Sequence, residues 1–266
     1  MRLLIKIWQR LTDPVFFQKR FRIFQRAIRE PVEVDGVNSI QEVNDFRHAV
    51  VFVAHPDDES FCSGLICQLI DAGARVDVLC LTRGEGGPTG GLNREDLGKA
   101  REVEMRRACR VLGVTELIFL DHVDPVAKEF RLFAPDVSEA DLAKQVRPFL
   151  KGADLIISHG SSGEYWHPAH LLVHAAVKRA IVRLPDCQWM TFLANQRKHD
   201  IPKLVNTDDP AHLTLDVSHL HGRRKAALDC HTSQLPLFGR FAEGTVDDFV
   251  EKTSIEAYCI KDPEND

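Results

Sequence analysis

Histidine and carboxylate side chains that could hold a metal ion follow directly after an apolar segment. Residues 50–54 read Val-Val-Phe-Val-Ala, and residues 55–59 read His-Pro-Asp-Asp-Glu. The apolar part is β-branched and continuous, which predicts a buried strand of a parallel sheet. Ligands of open α/β sheets bind beyond the carboxyl ends of the strands, so His55 is placed to contact one. The alternative is an acidic helix start, which explains the acids but not His55.

A second group of histidines follows another apolar run a hundred residues later. Residues 154–158 read Asp-Leu-Ile-Ile-Ser and precede a loop with His159, His167 and His170, and His174 lies four residues further on. His170 and His174 share one face of a predicted helix. Because His170 is nearer to the strand end, it is the better candidate for a metal ligand, and His174 is expected to face the core or support a ligand.

The two groups together predict a hydrolytic metal site. His55, Asp58 and His170 form a two-histidine, one-carboxylate set, which leaves an open position for water as in hydrolytic Zn²⁺ sites. The same set also suits Fe²⁺. Asp57 is then free to accept the proton of the attacking water as general base. His167, on the other loop, is placed to stabilise an oxyanion or to protonate the leaving nitrogen.

These motifs resemble the LmbE-like (PIG-L) family of zinc-dependent N-deacetylases, and the resemblance extends from about residue 48 to 260. It implies a metal-dependent hydrolase that removes acetyl from an N-acetylated amino sugar of the GlcNAc type, free or linked to a lipid or glycan. The segments that carry it are Ala54-His55-Pro56-Asp57-Asp58-Glu59, Thr82-x-Gly84-Glu85-x-Gly87, Arg101-x-x-Glu104, His167-Pro168-x-His170 and Lys225-x-x-Ala-Leu-x-x-His231-x-Ser233-Gln234.

Carried over by position, the resemblance implies the metal and catalytic roles given above and adds three substrate-binding residues. Arg101 matches an arginine that holds sugar hydroxyls, and Asp121, after the third strand, falls near an acid with a similar role. His231 matches a C-terminal histidine near the pocket. An alternative for Arg101 is an exposed ion pair with Glu104, one helical turn later.

The sequence departs from the family pattern at two places. The family usually reads His-Pro-Asp-His, but Ala169 stands where the aspartate would orient or charge the first histidine. If His167 acts as a cation, another acid must raise its pKa, and Glu164 is the candidate in the same loop. The alternative for Glu164 is a solvated loop acid. Residues 120–125 also differ from the usual Pro-Asp-Gly, which affects the sugar-binding assignment.

The framework that must position these residues is an alternation of strand-like and helix-like segments. It predicts a Rossmann-like α/β fold, with a mainly parallel, doubly wound sheet and helices on both faces. The predicted strands are 48–54, 75–81, 116–120, 154–158 and 188–193, with 213–217 and 255–260 in a less regular tail, and the predicted helices are 60–72, 94–112, 138–150, 169–183 and 220–230.

The first 31 residues form a separate basic segment, with eight Lys or Arg against two acids. The pattern predicts an amphipathic helical extension over residues 1–40, followed by a deacetylase domain over 41–266. The segment could lie on an anionic membrane, which would make the protein membrane-peripheral, or pack on the domain or a partner subunit. The apolar residues of its helical face are Phe17, Phe21, Phe24 and Ile28.

Composition limits the remaining classes of function. A net charge of −5 argues against a general nucleic-acid binder. The seven cysteines are scattered without a Cys-x-x-Cys pair, which favours reduced thiols and a cytoplasmic location. No apolar run approaches the ~20 residues of a membrane span. The glycine-rich residues 84–91 match neither nucleotide-binding template and predict a loop at the pocket rim. Oligomeric state is not predicted.

Two other functions are compatible with these residues. One is a metal-dependent hydrolase that acts on a non-sugar amide. The other is a membrane-peripheral binding protein whose metal site is only structural, an idea favoured by the basic N-terminus and by Ala169. Against it, Asp57 lies beside a ligand set with an open position, which a closed structural site does not need.

Overall fold

The computed structural model describes residues 43–88, 91–128, 131–184, 186–196 and 200–262. The predicted extension over residues 1–40, including its amphipathic segment, lies outside the described residues.

A seven-stranded sheet forms the centre of the described chain, with strand order β3-β2-β1-β4-β5-β9-β8. Strands β1 to β5 are parallel to one another, and β9 runs antiparallel to both β5 and β8. The strands are β1 His48–Val53, β2 Arg75–Thr82, β3 Glu116–His122, β4 Leu155–Ser158, β5 Gln188–Phe192, β8 Leu213–Asp216 and β9 Ile255–Lys261, and a separate parallel pair is formed by β6 Ala194–Asn195 and β7 Asn206–Pro210.

Helices cover both faces of this sheet, and strand β1 is therefore buried on both sides. Val51 and Val53 pack in one apolar cluster with α1, α2 and α6 to α8, whereas Val50 and Phe52 pack in the other with α3 and α5. The helices are α1 Ser63–Asp71, α2 Arg94–Leu112, α3 Glu139–Leu150, α4 Gly163–Trp166, α5 Pro168–Ile181, α6 His221–Leu228, α7 Leu235–Ala242 and α8 Val246–Lys252. The prediction of a mainly parallel α/β sheet with helices on both faces is confirmed.

The order of the strands determines where a ligand can bind. From β1 the chain first builds outward through β2 to β3, and it then returns to the other side of β1 to place β4 and β5. The connections leave β1 and β4 in opposite directions at this switch point, and a crevice opens beyond their carboxyl ends. Register pairs Phe52 with Ser158, so residues 54–59 and 159–170 leave the sheet side by side.

The tail of the domain is where the structure adds most to the prediction. The two predicted tail strands are β8 and β9, but β9 lies inside the sheet between β5 and β8. The β6 and β7 pair and helices α7 and α8 were not predicted. Within the described residues, no helix has both the length and the apolar composition needed to cross a bilayer.

Close packing at Gly64 gives a test of the fold. The N–H groups of Gly64 and Leu65 donate to the buried carboxylate of Glu256 at 2.7 and 2.9 Å, and a Cβ at Gly64 would lie 2.5 Å from Val217 Cγ1. We expect Gly64→Ala to lower the free energy of unfolding by about 1–3 kcal/mol, because an extra methyl group overpacks this contact. Urea denaturation measures the change.

Gly222→Ala is the matched control, because a Cβ at this helical glycine would meet no atom within 4 Å. Its stability should be unchanged or slightly higher, since alanine favours the helix. Equal stability of Gly64→Ala and the wild-type protein would contradict the close approach of α1 to Val217.

Candidate metal centre and active site

The exit of β1 folds into a tight turn that separates the three consecutive acids. Asp57 has a left-handed backbone with φ 103°, and a 3-10 turn over Asp58–Cys62 follows it. The N–H of His55 donates to Asp58 Oδ2 at 2.8 Å, and these side chains are buried. The acids therefore begin a short helical turn and also line the crevice, so the two interpretations of the motif hold together.

Three atoms with lone pairs converge at the end of β1. His55 Nδ1 lies 3.3 Å from Asp58 Oδ2, and His170 Nε2 lies 3.3 Å from His55 Nδ1 and 3.5 Å from Asp58 Oδ2. Tetrahedral ligands at 2.0–2.1 Å from a Zn²⁺ ion would be about 3.3–3.4 Å apart. The donor set that the sequence predicts therefore has the dimensions of a small tetrahedral cation site.

Two other groups of donors overlap with this set. His55, His167 and His170 form one group with donor atoms within 4.8 Å of one another, and Asp58, His159 and His170 form another. Both ring nitrogens of His159 already have hydrogen-bond partners. The set of His55, Asp58 and His170 is therefore a better candidate than the group that contains His159.

Glu164 orients the histidines that enter from the β4 loop. Its Oε2 accepts from His170 Nδ1 at 2.5 Å and from His159 Nδ1 at 2.8 Å. His159 Nε2 in turn accepts the N–H of Ala54 at 3.0 Å. With its Nδ1 proton held by Glu164, His170 directs the lone pair of Nε2 toward Asp58, as in the carboxylate–histidine–metal arrangement of many metal sites.

The burial of Glu164 excludes its interpretation as a solvated loop acid. The side chain is fully buried, and its backbone is strained at φ 55°. Asn206 holds it by donating from Nδ2 to Oε1 at 3.1 Å. Burial alone would raise the pKa of Glu164, but His159 and His170 outweigh it and hold the pKa well below its usual range.

His167 lies against the donor set as a neutral ring. Its ring centroid is 4.6 Å from those of both His55 and His170. Burial and the neighbouring His170 lower the pKa of His167 far below its ordinary value. Its Nδ1 accepts the N–H of Ala169 at 3.3 Å, so the proton resides on Nε2. His167 can thus offer a hydrogen bond, and the contacts of Glu164 are with other histidines.

Asp57 has the environment of a general base. Burial raises the pKa of Asp57, Arg101 opposes the rise and Asp58 adds to it, and the result is a pKa of about 7. Arg101 Nη2 donates to Asp57 Oδ2 at 3.0 Å and to the carbonyl of Pro56 at 2.5 Å, and Nη1 donates to the carbonyl of Gly84 at 2.9 Å. A carboxylate that titrates near neutrality is suited to accept a proton from water.

Arg101 and Glu104 are both buried, so the alternative of an exposed ion pair on the helix is wrong. The guanidinium of Arg101 is used by protein groups around Asp57, whereas Glu104 bonds to Thr232 and Ser233. Arg101 therefore contacts the candidate base directly.

The acid that reaches the site after β3 is Asp124 and not the predicted Asp121. Asp121 has a side chain that is 66% exposed and pairs with Arg83 at 2.6 Å. Asp124 is buried, with Oδ1 3.4 Å from His55 Nε2 and Oδ2 accepting the N–H of Gly86 at 3.1 Å. At 3.4 Å the contact with His55 is mainly electrostatic.

Asp124 and Asp58 make the surroundings of His55 strongly negative. Burial alone would lower the pKa of His55, but the two carboxylates outweigh it and raise the pKa to about 10. Such surroundings favour a bound cation. Asp124 was missed because it lies in the segment that departs from the family pattern. His159 was passed over although, like His55, it is among the first residues after its strand.

His231 is brought to the back of the site. It is fully buried, and its Nε2 lies 2.5 Å from Glu59 Oε1. Its polar contact is thus with Glu59, the third acid of the β1 turn. The substrate contact expected of His231 stays a prediction.

The comparison with family models identifies the class of protein. Residues 50–181 match the PIG-L family, described as GlcNAc-PI de-N-acetylase. This span begins within β1 and ends with α5, so it includes all three members of the donor set. The chain carries a PIG-L (LmbE-like) family domain, and the resemblance read from its motifs is confirmed.

Two relatives have related names. The probable N-acetyl-alpha-D-glucosaminyl L-malate deacetylase 2 of Bacillus anthracis is 29% identical over 197 residues, which cover 71% of this chain and 81% of that protein. The 1D-myo-inositol 2-acetamido-2-deoxy-alpha-D-glucopyranoside deacetylase of Kineococcus radiotolerans is 30% identical over 179 residues, which cover 54% of this chain and 47% of that protein.

Solved structures share the fold at low sequence identity. The N,N'-diacetylchitobiose deacetylase of Pyrococcus horikoshii superimposes with a TM-score of 0.57 at 19% identity, covering 85% of this chain and 88% of that one. The 4-carboxy-2-hydroxymuconate hydratase of Pseudomonas putida gives 0.54 at 18%, covering 82% and 97%. Since one of them is named as a hydratase, the fold alone does not select the reaction.

Substitution of the two histidines tests the donor set. His55→Ala and His170→Ala should each lower the bound metal, because each removes one of three candidate ligands. Elemental analysis of the purified proteins measures the metal content. His219→Ala, an exposed histidine of a 3-10 turn, is the control and should retain the wild-type content. Full occupancy in both site variants would contradict the assignment.

Substitution of Glu164 tests the support behind His170. Glu164→Gln should weaken zinc affinity by about 10- to 100-fold, because such supporting contacts orient the ligand and increase its basicity. Competition with a chromophoric chelator measures the affinity. Glu139→Gln changes an exposed acid that pairs with Arg179 and should leave it unchanged. Equal affinities of Glu164→Gln and wild type would contradict the orienting contact.

Proposed function

We propose that the protein is a metal-dependent N-deacetylase that releases acetate from an N-acetylated amino sugar of the GlcNAc type. The observation that carries this proposal is a buried carboxylate, Asp57, with a pKa near 7 beside a three-donor set of zinc-site dimensions. The family and the names of its relatives indicate the type of bond and the sugar.

The metal would be held by His55, Asp58 and His170. Zn²⁺ is the preferred ion, because the donor distances suit a tetrahedral site, and Fe²⁺ fits the same ligand types. When bound, the ion would polarise the acetamide carbonyl and make a water molecule acidic enough to be deprotonated near pH 7.

Asp57 and His167 would supply the proton transfers and the hydrogen bonds. Asp57 would take a proton from the attacking water and, because it is held beside the same carbon, return it to the departing nitrogen. His167 would donate from Nε2 to the oxygen that becomes negative in the transition state. As a neutral imidazole it needs no aspartate at position 169, so Ala169 is compatible with this role.

Substrate recognition is proposed to depend on Asp124 in place of Asp121. Asp124 lies at the crevice, beside His55, whereas Asp121 points to solvent and pairs with Arg83. A buried carboxylate at this position could accept hydrogen bonds from sugar hydroxyls. Arg101 would act on the substrate through Asp57, which it contacts.

The base assignment is tested by Asp57→Asn. Because the amide cannot accept the proton, we expect turnover to fall by about 10²–10⁴-fold, with metal content unchanged. Acetate release is measured from free, nucleotide-linked and lipid-linked N-acetylglucosamine, with an N-acetyl amino acid as the non-sugar amide. Asp247→Asn alters an exposed acid paired with His221 and serves as the control.

Each outcome of this assay has a distinct meaning. Wild-type turnover in Asp57→Asn would contradict the base assignment. Acetate from the N-acetyl amino acid alone would identify a non-sugar amidase. No acetate from any compound, with metal tightly bound, would favour a binding protein with a structural metal site.

We also propose that residues 1–31 contact an anionic membrane from the cytoplasmic side, which would suit a lipid-linked substrate. The proposal rests on the charge and spacing of these residues. Deletion of residues 1–31 should abolish sedimentation with phosphatidylserine vesicles, and neither protein should sediment with phosphatidylcholine vesicles. Unchanged sedimentation of the truncated protein would contradict the membrane contact.

A further inference from the structure

The backbone of Asp57 adopts a conformation that an L-residue avoids when it is free to relax. Its φ of 103° lies in the left-handed region, and the following 3-10 turn begins directly after it. Residues held in this way persist only when their surroundings over-determine them. The contacts that enforce this conformation therefore help to position the carboxylate of Asp57, the candidate base.

Glu59 restrains the backbone of Asp57 through a hydrogen bond. Its Oε2 accepts the N–H of Asp57 at 3.0 Å, and its Oε1 lies 2.5 Å from Nε2 of His231. Both Glu59 and His231 are at most 1% exposed. Nδ1 of His231 is buried with no hydrogen-bond partner among the described residues, so Glu59 is the polar contact that places this ring.

The loop that carries His231 is anchored in turn by Glu104. Thr232 Oγ1 and the N–H of Ser233 donate to Glu104 Oε1 at 2.6 and 2.9 Å, and Ser233 Oγ donates to Oε2 at 2.7 Å. Glu104 is buried, although a carboxylate at this place on a helix would ordinarily face water. Three hydrogen bonds thus fix the loop directly after His231.

These contacts close a circuit on helix α2. Glu104 lies one helical turn after Arg101, and Arg101 bonds to the carboxylate of Asp57 at 3.0 Å. From α2 the circuit passes through Arg101 to Asp57, Glu59 and His231, and it returns through the anchored loop to Glu104. Helix α2 therefore positions both the side chain of Asp57, through Arg101, and its backbone, through Glu104, His231 and Glu59.

We propose that Glu59, His231 and Glu104 are positioning residues that brace Asp57 for proton transfer. This inference rests on the proposed function, since it concerns the base of that reaction. It gives His231 a role different from the substrate contact expected from the family resemblance. It also accounts for a buried acid–histidine pair that touches no member of the donor set in the contacts above.

The brace predicts a loss of turnover without loss of binding. Replacing His231 by leucine keeps its approximate volume but removes the donor that holds Glu59, so Asp57 is free to relax. We expect kcat to fall by about 10- to 100-fold, the range that small misplacements of reacting groups produce. KM and metal content should stay within about twofold, because substrate and metal contacts are untouched.

Two further variants separate positioning from general destabilisation. His231→Gln retains an N–H donor for Glu59 and should recover most of the lost kcat. Glu256→Gln alters another buried glutamate, one that accepts the N–H groups of Gly64 and Leu65, and it should lower the melting temperature while kcat is retained. If His231→Leu does not fold, Thr232→Val removes one anchor of the loop and should lower kcat several-fold.

The outcome is decided by kinetics and by a crystal structure of His231→Leu, or of Thr232→Val if that variant must replace it. A kcat equal to wild type, or equal losses in the leucine and glutamine variants, would overturn the brace. If the wild-type protein releases no acetate from any compound, the proposed function fails. The crystal structure of the variant then tests the positioning of Asp57 independently. Asp57 with φ still near 103° in that structure would then overturn the brace.

Discussion

One hydrogen bond between two strand exits sets the geometry on which the site depends. The N–H of Ala54, just after β1, donates to His159 Nε2, just after β4. That bond leaves His159 Nδ1 to donate to Glu164, and Glu164 then fixes the tautomer of His170. This chain of contacts links the loop after β4 to the end of β1. The parallel pairing of β1 and β4 sets the distance between the two loops, and the buried hydrogen bonds set the direction of their side chains.

Three consecutive acids are buried, and each has a different buried partner. Asp57 faces Arg101, Asp58 faces the histidines of the donor set, and Glu59 faces His231. The left-handed residue followed by a 3-10 turn sends adjacent side chains in these different directions. A regular helix would have spread them by its fixed rotation and exposed at least part of the set to water.

The fold and the donor set could be predicted from the sequence, because both depend on local signals. Apolar runs that stop at histidines or acids mark strand ends, and strand ends meet at a switch point. The choice between Asp121 and Asp124 could not be predicted. It depends on a register shift between β2 and β3 and on the positive φ of Asp121, which only the folded sheet reveals. The contacts of Glu104 could not be predicted either, because its partners Thr232 and Ser233 are distant in sequence. Those of Glu164 depend on a strained loop backbone.

The place of β9 in the sheet has a consequence for how the chain is made. β8 borders β9 alone within the described sheet, and β9 is formed by residues 255–261, near the end of the chain. During synthesis the parallel strands can pair as they emerge, but β5 keeps an open edge and β8 stays unpaired until those residues leave the ribosome. Since unpaired edges invite aggregation, the nascent protein is most vulnerable between the emergence of β5 and that of β9. The described sheet is therefore completed by β9, although its candidate chemistry is concentrated at the exits of β1 and β4.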